Sequence, residues 1–187
     1  GRLEDAADAY RNAIQSGCRE LAVDEKLLAL LYRLGRYAEA ERRLAEMQDR
    51  AAGSTALTAQ EISLAAGQGQ WREAIELARK NAQIHHRDPQ AIVSLSRLLE
   101  LDNQAAKAEE TLRQAIQESP ENAALPYQLL ACYVRNGKTQ LAKEYLEQLK
   151  SSTKIPELAR MHLLAQGCEL LQDETGAKAA WQAVVGL

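Results

Sequence analysis

Residues 35–40 read GRYAEA and residues 69–74 read GQWREA, two similar hexapeptides that lie 34 residues apart. Further steps of 34 residues place Gly or Asn at the first position of five consecutive registers, at Gly1, Gly35, Gly69, Asn103 and Gly137. Every register has Ala at its sixth position, at Ala6, Ala40, Ala74, Ala108 and Ala142. A fixed period of this length indicates a repeat architecture.

The two recurring residue types have a physical reason to recur. Gly, and less readily Asn, adopts the positive φ that ends a helix and reverses the chain. Ala one turn into the next helix is small enough for an antiparallel helix to pack closely against it. The chain contains 33 Ala residues and no Phe, a composition that favours closely stacked helices.

The segments between the turns have the apolar spacing of amphipathic helices. Residues 89–101 are apolar at intervals of three and four, and Asp88 before Pro89 is a favourable helix start. A second such segment follows Asn103, and Ser119-Pro120 ends it. The pattern predicts helix, turn, helix in each repeat, with no strand.

A 34-residue helix pair with Gly and an aromatic at the turn, small residues in the second helix and Pro at its end resembles the tetratricopeptide repeat (TPR). The best single copy runs from Pro89 to Pro120, although Asn103 and Ala105 depart from the pattern. The resemblance implies an all-α solenoid, a right-handed superhelix of antiparallel helix pairs with about 11 helices. Related helical repeats of 35 to 40 residues are the alternatives, but they lack this regular 34.

The period predicts a single repeat domain over residues 1–187. The chain starts and stops within second helices, so we expect a fragment of a longer protein. Ala179 follows Ala142 by 37 residues, which predicts three extra residues and a longer loop near 150–156. The predicted segments are a second helix at 1–18, repeats at 19–53, 54–87, 88–120 and 121–153, and a divergent last repeat at 154–187.

Composition narrows the class of partner. The net charge of −3 and the pI near 5.7 show no excess of positive charge that would attract phosphate groups, so we expect no nucleic acid as a partner. No apolar run is long enough to span a bilayer, so we expect no direct membrane insertion. The sequence does not decide between a cytoplasmic and a periplasmic localisation, because a fragment would lack any natural N-terminal signal.

The sequence predicts no catalytic, metal or cofactor site. Cys18, Cys132 and Cys168 are widely spaced inside helical patterns, as buried structural cysteines are. His162 and Cys168 lie six residues apart, on different faces of a helix. No Gly-rich phosphate loop or nucleophile elbow is present. We therefore expect that the chain is not an enzyme, although a catalytic domain could lie outside it.

The TPR resemblance implies that the first helix of each pair lines a concave groove. Tyr and Arg are common anchors in interfaces. The Lys and Asn clamp that some TPR domains use for a C-terminal carboxylate is absent, since its places hold residues such as Glu25, Ala29 and Val93. The candidate groove residues are Glu25, Tyr32, Arg33, Gln90, Arg97, Glu100, Tyr127 and Arg135.

The leading functional hypothesis is a protein interaction scaffold that receives a peptide or helix of unidentified sequence in this groove. The alternative is a spacer segment in a bacterial envelope, secretion or exopolysaccharide-export assembly, with self-association possible. The bacterial origin rests only on the Ala- and Arg-rich composition.

Overall fold

A computed structural model describes residues 1–51, 55–86 and 88–185. Within these ranges the chain forms eleven α-helices and no strand, which confirms the predicted all-α fold. The helices are α1 (Arg2–Gln15), α2 (Leu21–Arg33), α3 (Tyr37–Ala51), α4 (Thr55–Gly67), α5 (Trp71–Ile84), α6 (Pro89–Leu101), α7 (Ala105–Glu118), α8 (Ala124–Arg135), α9 (Thr139–Lys150), α10 (Glu157–Leu170) and α11 (Glu174–Val185).

One hydrogen-bonded turn closes the first helix of every pair. A residue with positive φ ends the helix, and the next N–H donates to the carbonyl five residues back, as Arg36 does to Leu31 at 2.8 Å. Gly35, Gly69, Asn103 and Gly137 hold this position, as predicted. The sequence missed the fifth turn residue, Gln172, which adopts φ 59° although it is not Gly.

The residue after each turn also starts the second helix. Its carbonyl accepts the N–H of the Ala four residues further on, at 2.9 to 3.1 Å. Four of these alanines are fully buried, as the spacing predicted: Ala40, Ala74, Ala108 and Ala142.

The 34-residue period predicted the wrong alanine at each end of the chain. Ala6 is only half-buried, and the fully buried residue is Ala7, which packs with Leu27, Leu28 and Leu31. Ala179 is exposed, and Ala177 is buried in its place.

The last repeat therefore contains fewer extra residues than predicted. Gln172 follows Gly137 by 35 residues, so the shift relative to the 34-residue period is one residue and not three. The expected longer loop is present, since residues 151–156 separate α9 from α10.

The N-terminal unit comprises Gly1–Ile84 and contains α1 to α5. Each helix packs on the next, and the first helices α2 and α4 also contact each other. Its core centres on Leu28, Leu31, Leu44 and Met47, all at most 3% exposed. Burial of these side chains from α2 and α3 stabilises the unit.

The C-terminal unit comprises His85–Leu187 and contains α6 to α11. Asp88 accepts a hydrogen bond from the Gln90 N–H at 3.0 Å and Pro89 starts α6, as predicted. The first helices α6, α8 and α10 contact one another in sequence, which places them side by side. The assignment of the chain to a single domain stays a prediction.

None of the helices within the described residues has the length and apolar character needed to cross a membrane.

Candidate functional site

All eight candidate groove residues lie on first helices. Glu25, Tyr32 and Arg33 belong to α2 in the N-terminal unit, and the other five belong to α6 and α8 in the C-terminal unit. We call the surface formed by α6, α8 and α10 the C-terminal first-helix face.

Tyr32 joins two first helices of the N-terminal unit. Its hydroxyl donates a hydrogen bond to the Gln60 carbonyl of α4 at 3.0 Å. Burial, and secondarily the charge of Glu61, raises the pKa of the Tyr32 phenol above its usual value. Tyr32 therefore has a packing role in the fold, whereas Glu25 is half-buried and Arg33 is exposed.

Three of the candidate residues meet in one ion-pair cluster. The Glu100 carboxylate accepts hydrogen bonds from the Arg135 guanidinium at 2.9 to 3.1 Å, and from Arg97 at 2.9 Å. Asn136 adds a third donor at 3.2 Å. Because the Glu100 side chain is only 8% exposed, its charge is largely satisfied within the protein.

Arg97 is the part of this cluster that solvent reaches most easily. Its side chain is 44% exposed, whereas that of Arg135 is 34% exposed and is held by both Glu100 oxygens. Two guanidinium groups face one carboxylate, so the cluster has one positive charge in excess.

Tyr127 lies in an open cleft between α8 and α10. Its ring packs against the cluster of Leu149, Ile155 and Leu163, and no hydrogen bond to its hydroxyl is formed within the described ranges. The cleft has a volume of about 330 Å³ and is lined by Ala123, Ala124, Tyr127, Gln128, Ala159, His162, Leu163 and Gln166. We call it the α8–α10 cleft.

The sequence missed the α10 side of this cleft. His162 packs edge-on against Trp181 of α11, with ring centroids 5.4 Å apart. Trp181 donates a hydrogen bond from its indole to Glu169 at 2.7 Å, which fixes the ring. The error in the register of the last repeat hid this side, because it assigned no positions of α10 to the groove.

Gln90 stands apart from the other candidates of the C-terminal unit. It is exposed in the first turn of α6, where its backbone N–H donates a hydrogen bond to the side chain of the N-cap residue Asp88. It lines neither the α8–α10 cleft nor the Glu100 cluster.

A comparison with family models matches residues 101–166, which reach from the end of α6 into α10, to the tetratricopeptide repeat. This part of the chain is therefore similar to the TPR family. A comparison with curated protein sequences gave no match.

Solved TPR structures share the fold at low identity. A TPR protein from Parabacteroides merdae is 15% identical, with 100% of this chain and 72% of that chain covered and a TM-score of 0.62. YrrB, described as a TPR protein with an unusual peptide-binding site, is 12% identical, with 96% and 92% covered and a TM-score of 0.51. BtubC from P. vanneervenii is 14% identical, with 97% and 87% covered and a TM-score of 0.53.

The two thiols on first helices, those of Cys132 and Cys168, are buried. Burial, followed by interaction with Glu100, raises the pKa of Cys132 to about 12. Burial also raises the pKa of Cys168, while His162 lies exposed on the same helix. Within the described residues no group of three His, Cys, Asp or Glu side chains is placed to hold a metal ion.

Proposed function

We propose that this TPR protein is an interaction scaffold that binds a partner peptide or helix on its C-terminal first-helix face, with the α8–α10 cleft as the main contact. The other first-helix surface, on α2 and α4, contributes less in this proposal because the Tyr32 hydroxyl is already bonded within the fold.

The single observation that carries the proposal is the environment of Tyr127. The ring is half-buried on an apolar base, and its hydroxyl has no hydrogen-bonding partner in the described part of the chain. A rigid aromatic with an available hydroxyl is a frequent interface anchor, because it supplies contact area and a hydrogen bond together. The amides of Gln128 and Gln166 beside it offer donors and acceptors to a partner backbone.

Two further observations support a peptide-like partner. The partly exposed Arg97, with the excess positive charge of the Glu100 cluster, favours an acidic group on that partner. The TPR structure of YrrB is described as having a peptide-binding site, so this fold can carry one. The sequence disfavours a carboxylate clamp, so the partner need not present its C-terminus.

Site-specific photo-cross-linking tests the proposal. A photoreactive amino acid at Gln128, beside Tyr127, is expected to cross-link a partner in cells of the source organism. The same group at Lys143, an exposed position on α9, is the matched control. Tyr127→Ala and Arg97→Ala should each weaken capture of the partner that Gln128 identifies, whereas Lys143→Ala should not. Equal capture by all variants would contradict the proposal.

The alternative, a spacer segment of an envelope, secretion or exopolysaccharide-export assembly, stays a prediction. The full-length gene would decide it, since a lipoprotein signal or an export domain would favour a spacer. The expectation that the chain has no catalytic activity of its own also stays a prediction.

A further inference from the structure

The turn between α8 and α9 contains the dipeptide Asn136-Gly137. Asparagine occurs at positions 12, 81, 103, 122 and 136 of the chain, and only Asn136 precedes a glycine. In the equivalent turns, the residue before the positive-φ position is Leu34, Gln68, Asp102 or Leu171. The α8–α9 turn therefore has a chemistry that the other turns of the repeat lack.

An Asn-Gly dipeptide loses ammonia without an enzyme. The backbone nitrogen of Gly137 attacks the side-chain carbonyl carbon of Asn136, Cγ, and a new C–N bond forms. The side-chain nitrogen of Asn136 leaves as ammonia and takes the proton of the Gly137 nitrogen. Water then opens the cyclic imide at one of its two carbonyls and leaves aspartate or isoaspartate at position 136. Gly favours the first step because no Cβ hinders the approach of its nitrogen.

The folded turn keeps the two reacting atoms apart. Asn136 is the C-cap of α8 with a nearly helical ψ of 15°. The five-membered ring instead requires Cγ and the Gly137 nitrogen to lie on the same side of the Asn136 Cα–C bond. The Gly137 N–H also donates a hydrogen bond to the Val134 carbonyl at 3.1 Å. The reaction therefore needs the turn to open, and its rate follows the population of the open state.

Two acceptors hold the side-chain amide of Asn136. Its Nδ2 donates to the Cys132 carbonyl at 2.8 Å and to the Glu100 carboxylate of α6 at 3.2 Å. A carboxylate in place of the amide has no proton to donate and faces both acceptors. It also adds negative charge at the C-terminus of α8, where the helix dipole disfavours it. Deamidation therefore turns an attractive contact between α6 and α8 into a repulsive one.

We infer that Asn136 is a site of spontaneous deamidation, which the closed α8–α9 turn suppresses and whose carboxylate product breaks the contact with Glu100. Each opening of the turn exposes Asn136 to the reaction, and the released ammonia does not return, so the product accumulates as the protein ages. The modification loosens the C-terminal first-helix face, because the broken contact joins α6 to α8. The inference concerns the chemistry of the turn and does not rest on partner binding.

The test is incubation of the full chain in neutral buffer, followed by mass spectrometry. Cleavage after glutamate releases residues 122–144 as one peptide, in which Asn122 precedes Ala and is the internal control. We expect the mass gain of an NH2 group replaced by OH at position 136 and not at Asn122. A synthetic peptide of residues 122–144 should react at least about tenfold faster, because it does not hold the turn closed.

Equal rates in the chain and in the peptide would overturn the inference, because the fold would then not suppress the reaction. A peptide in which Asn136 reacts no faster than Asn122 would overturn it as well. Glu100→Gln leaves Asn136 a neutral acceptor and should raise the rate in the full chain by about threefold or more. Glu110→Gln, at an exposed position of α7, is the matched control and should keep the native rate. The native rate in Glu100→Gln would show that Glu100 does not restrain Asn136.

The effect of the product is tested with Asn136→Asp, which installs one of the two products. Asn136→Ala is the control, because it removes the amide without adding charge. Asn136→Asp should lower the midpoint of urea unfolding more than Asn136→Ala does. Glu100→Gln should be less harmful in the Asn136→Asp chain than in the native chain, because the repulsion needs both carboxylates. Equal midpoints for the two variants, or additive effects with Glu100→Gln, would overturn the proposed loss of contact.

Discussion

The Arg135 guanidinium of α8 bonds to both carboxylate oxygens of Glu100 on α6, at 2.9 to 3.1 Å. This pair joins two first helices of the C-terminal unit at a carboxylate that is only 8% exposed. A charge-assisted, two-point contact of this kind fixes the distance and the angle between two helices. It therefore stabilises the face that carries the α8–α10 cleft.

Loss of the Glu100 charge is expected to destabilise the chain. Glu100→Gln keeps the size of the side chain but leaves Arg135 and Arg97 without their counter-ion, at a cost of about 1–3 kcal/mol. The measurement is the midpoint of urea unfolding followed by circular dichroism. Glu110→Gln, on an exposed position of α7, is the matched control and should leave the midpoint unchanged. Equal midpoints for the two variants would show that Glu100 is dispensable.

The sequence predicted those parts of the fold that the period encodes. Turn residues with positive φ and buried alanines recur because each repeat must reverse the chain and pack closely in the same way. Errors came where the period was extrapolated, at Ala6 and Ala179, since a helix can shift by one or two residues and still bury a different Ala. Local spacing contains no information on such shifts.

The candidate site was harder to predict than the fold. The TPR resemblance assigned Arg97, Glu100 and Arg135 to one face, and the structure brings them together. Their mutual ion pairs depend on side-chain geometry across helices, which no spacing along one helix reveals. The α10 side of the cleft was missed because the last repeat was placed in the wrong register. Whether any of these residues binds a partner stays a prediction.

The turn residues Gly137 and Gln172 are expected to respond to substitution in opposite directions. A Cβ at Gly137 would meet no atom within 4 Å, so Gly137→Ala tests backbone strain alone, with a loss of about 1 kcal/mol at φ 72°. Gln172→Gly should instead stabilise the chain by about 0.5–1 kcal/mol, because relief of strain exceeds the added entropy of the unfolded chain. Thermal unfolding measures both.

A control for this pair is Gln140→Gly, at an exposed position in the first turn of α9, where φ is negative and the side chain bonds to Glu144 at 2.9 Å. It should destabilise the chain by about 1 kcal/mol. If Gln172→Gly behaved like Gln140→Gly, positive φ at Gln172 would not be a source of strain.

The buried thiol of Cys132 is expected to make the fold sensitive to alkali. Its pKa is raised from 9.0 to about 12 by burial, so the unfolded chain releases a proton between pH 9 and 12 that the folded chain keeps. Stability therefore falls as pH rises through this window, by up to about 1.4 kcal/mol per pH unit from this group. Tyr145, whose pKa is raised to about 12, adds to the loss above pH 10.

The measurement is urea unfolding at pH 8, 9 and 10 for the native chain and for Cys132→Ala. The slope of stability against pH should be smaller in the variant, whatever its stability at pH 8. Cys18→Ala, at a half-buried position in the loop after α1, is the control and should retain the native slope. If Cys132→Ala kept the slope of stability against pH of the native chain, Cys132 would not be the source of the sensitivity to alkali.

The residues one period later indicate which substitutions could replace the buried ion pair of the N-terminal unit. Asp24 of α2 is fully buried and accepts a hydrogen bond from Arg43 of α3 at 2.7 Å. One period later, the same two positions hold Thr58 and Leu77, so this fold also accepts a neutral pair there. We expect Arg43→Leu alone to cost about 3–5 kcal/mol, because it leaves the buried carboxylate without its guanidinium.

The double variant Asp24→Thr and Arg43→Leu should recover most of that loss, because it removes the buried charge together with its counter-ion. A double-mutant cycle on unfolding free energies measures the recovery as a coupling between the two sites. Additive losses would mean that the pair contributes through packing rather than charge. Strong coupling would show that the second repeat supplies a working substitute for the ion pair of the first.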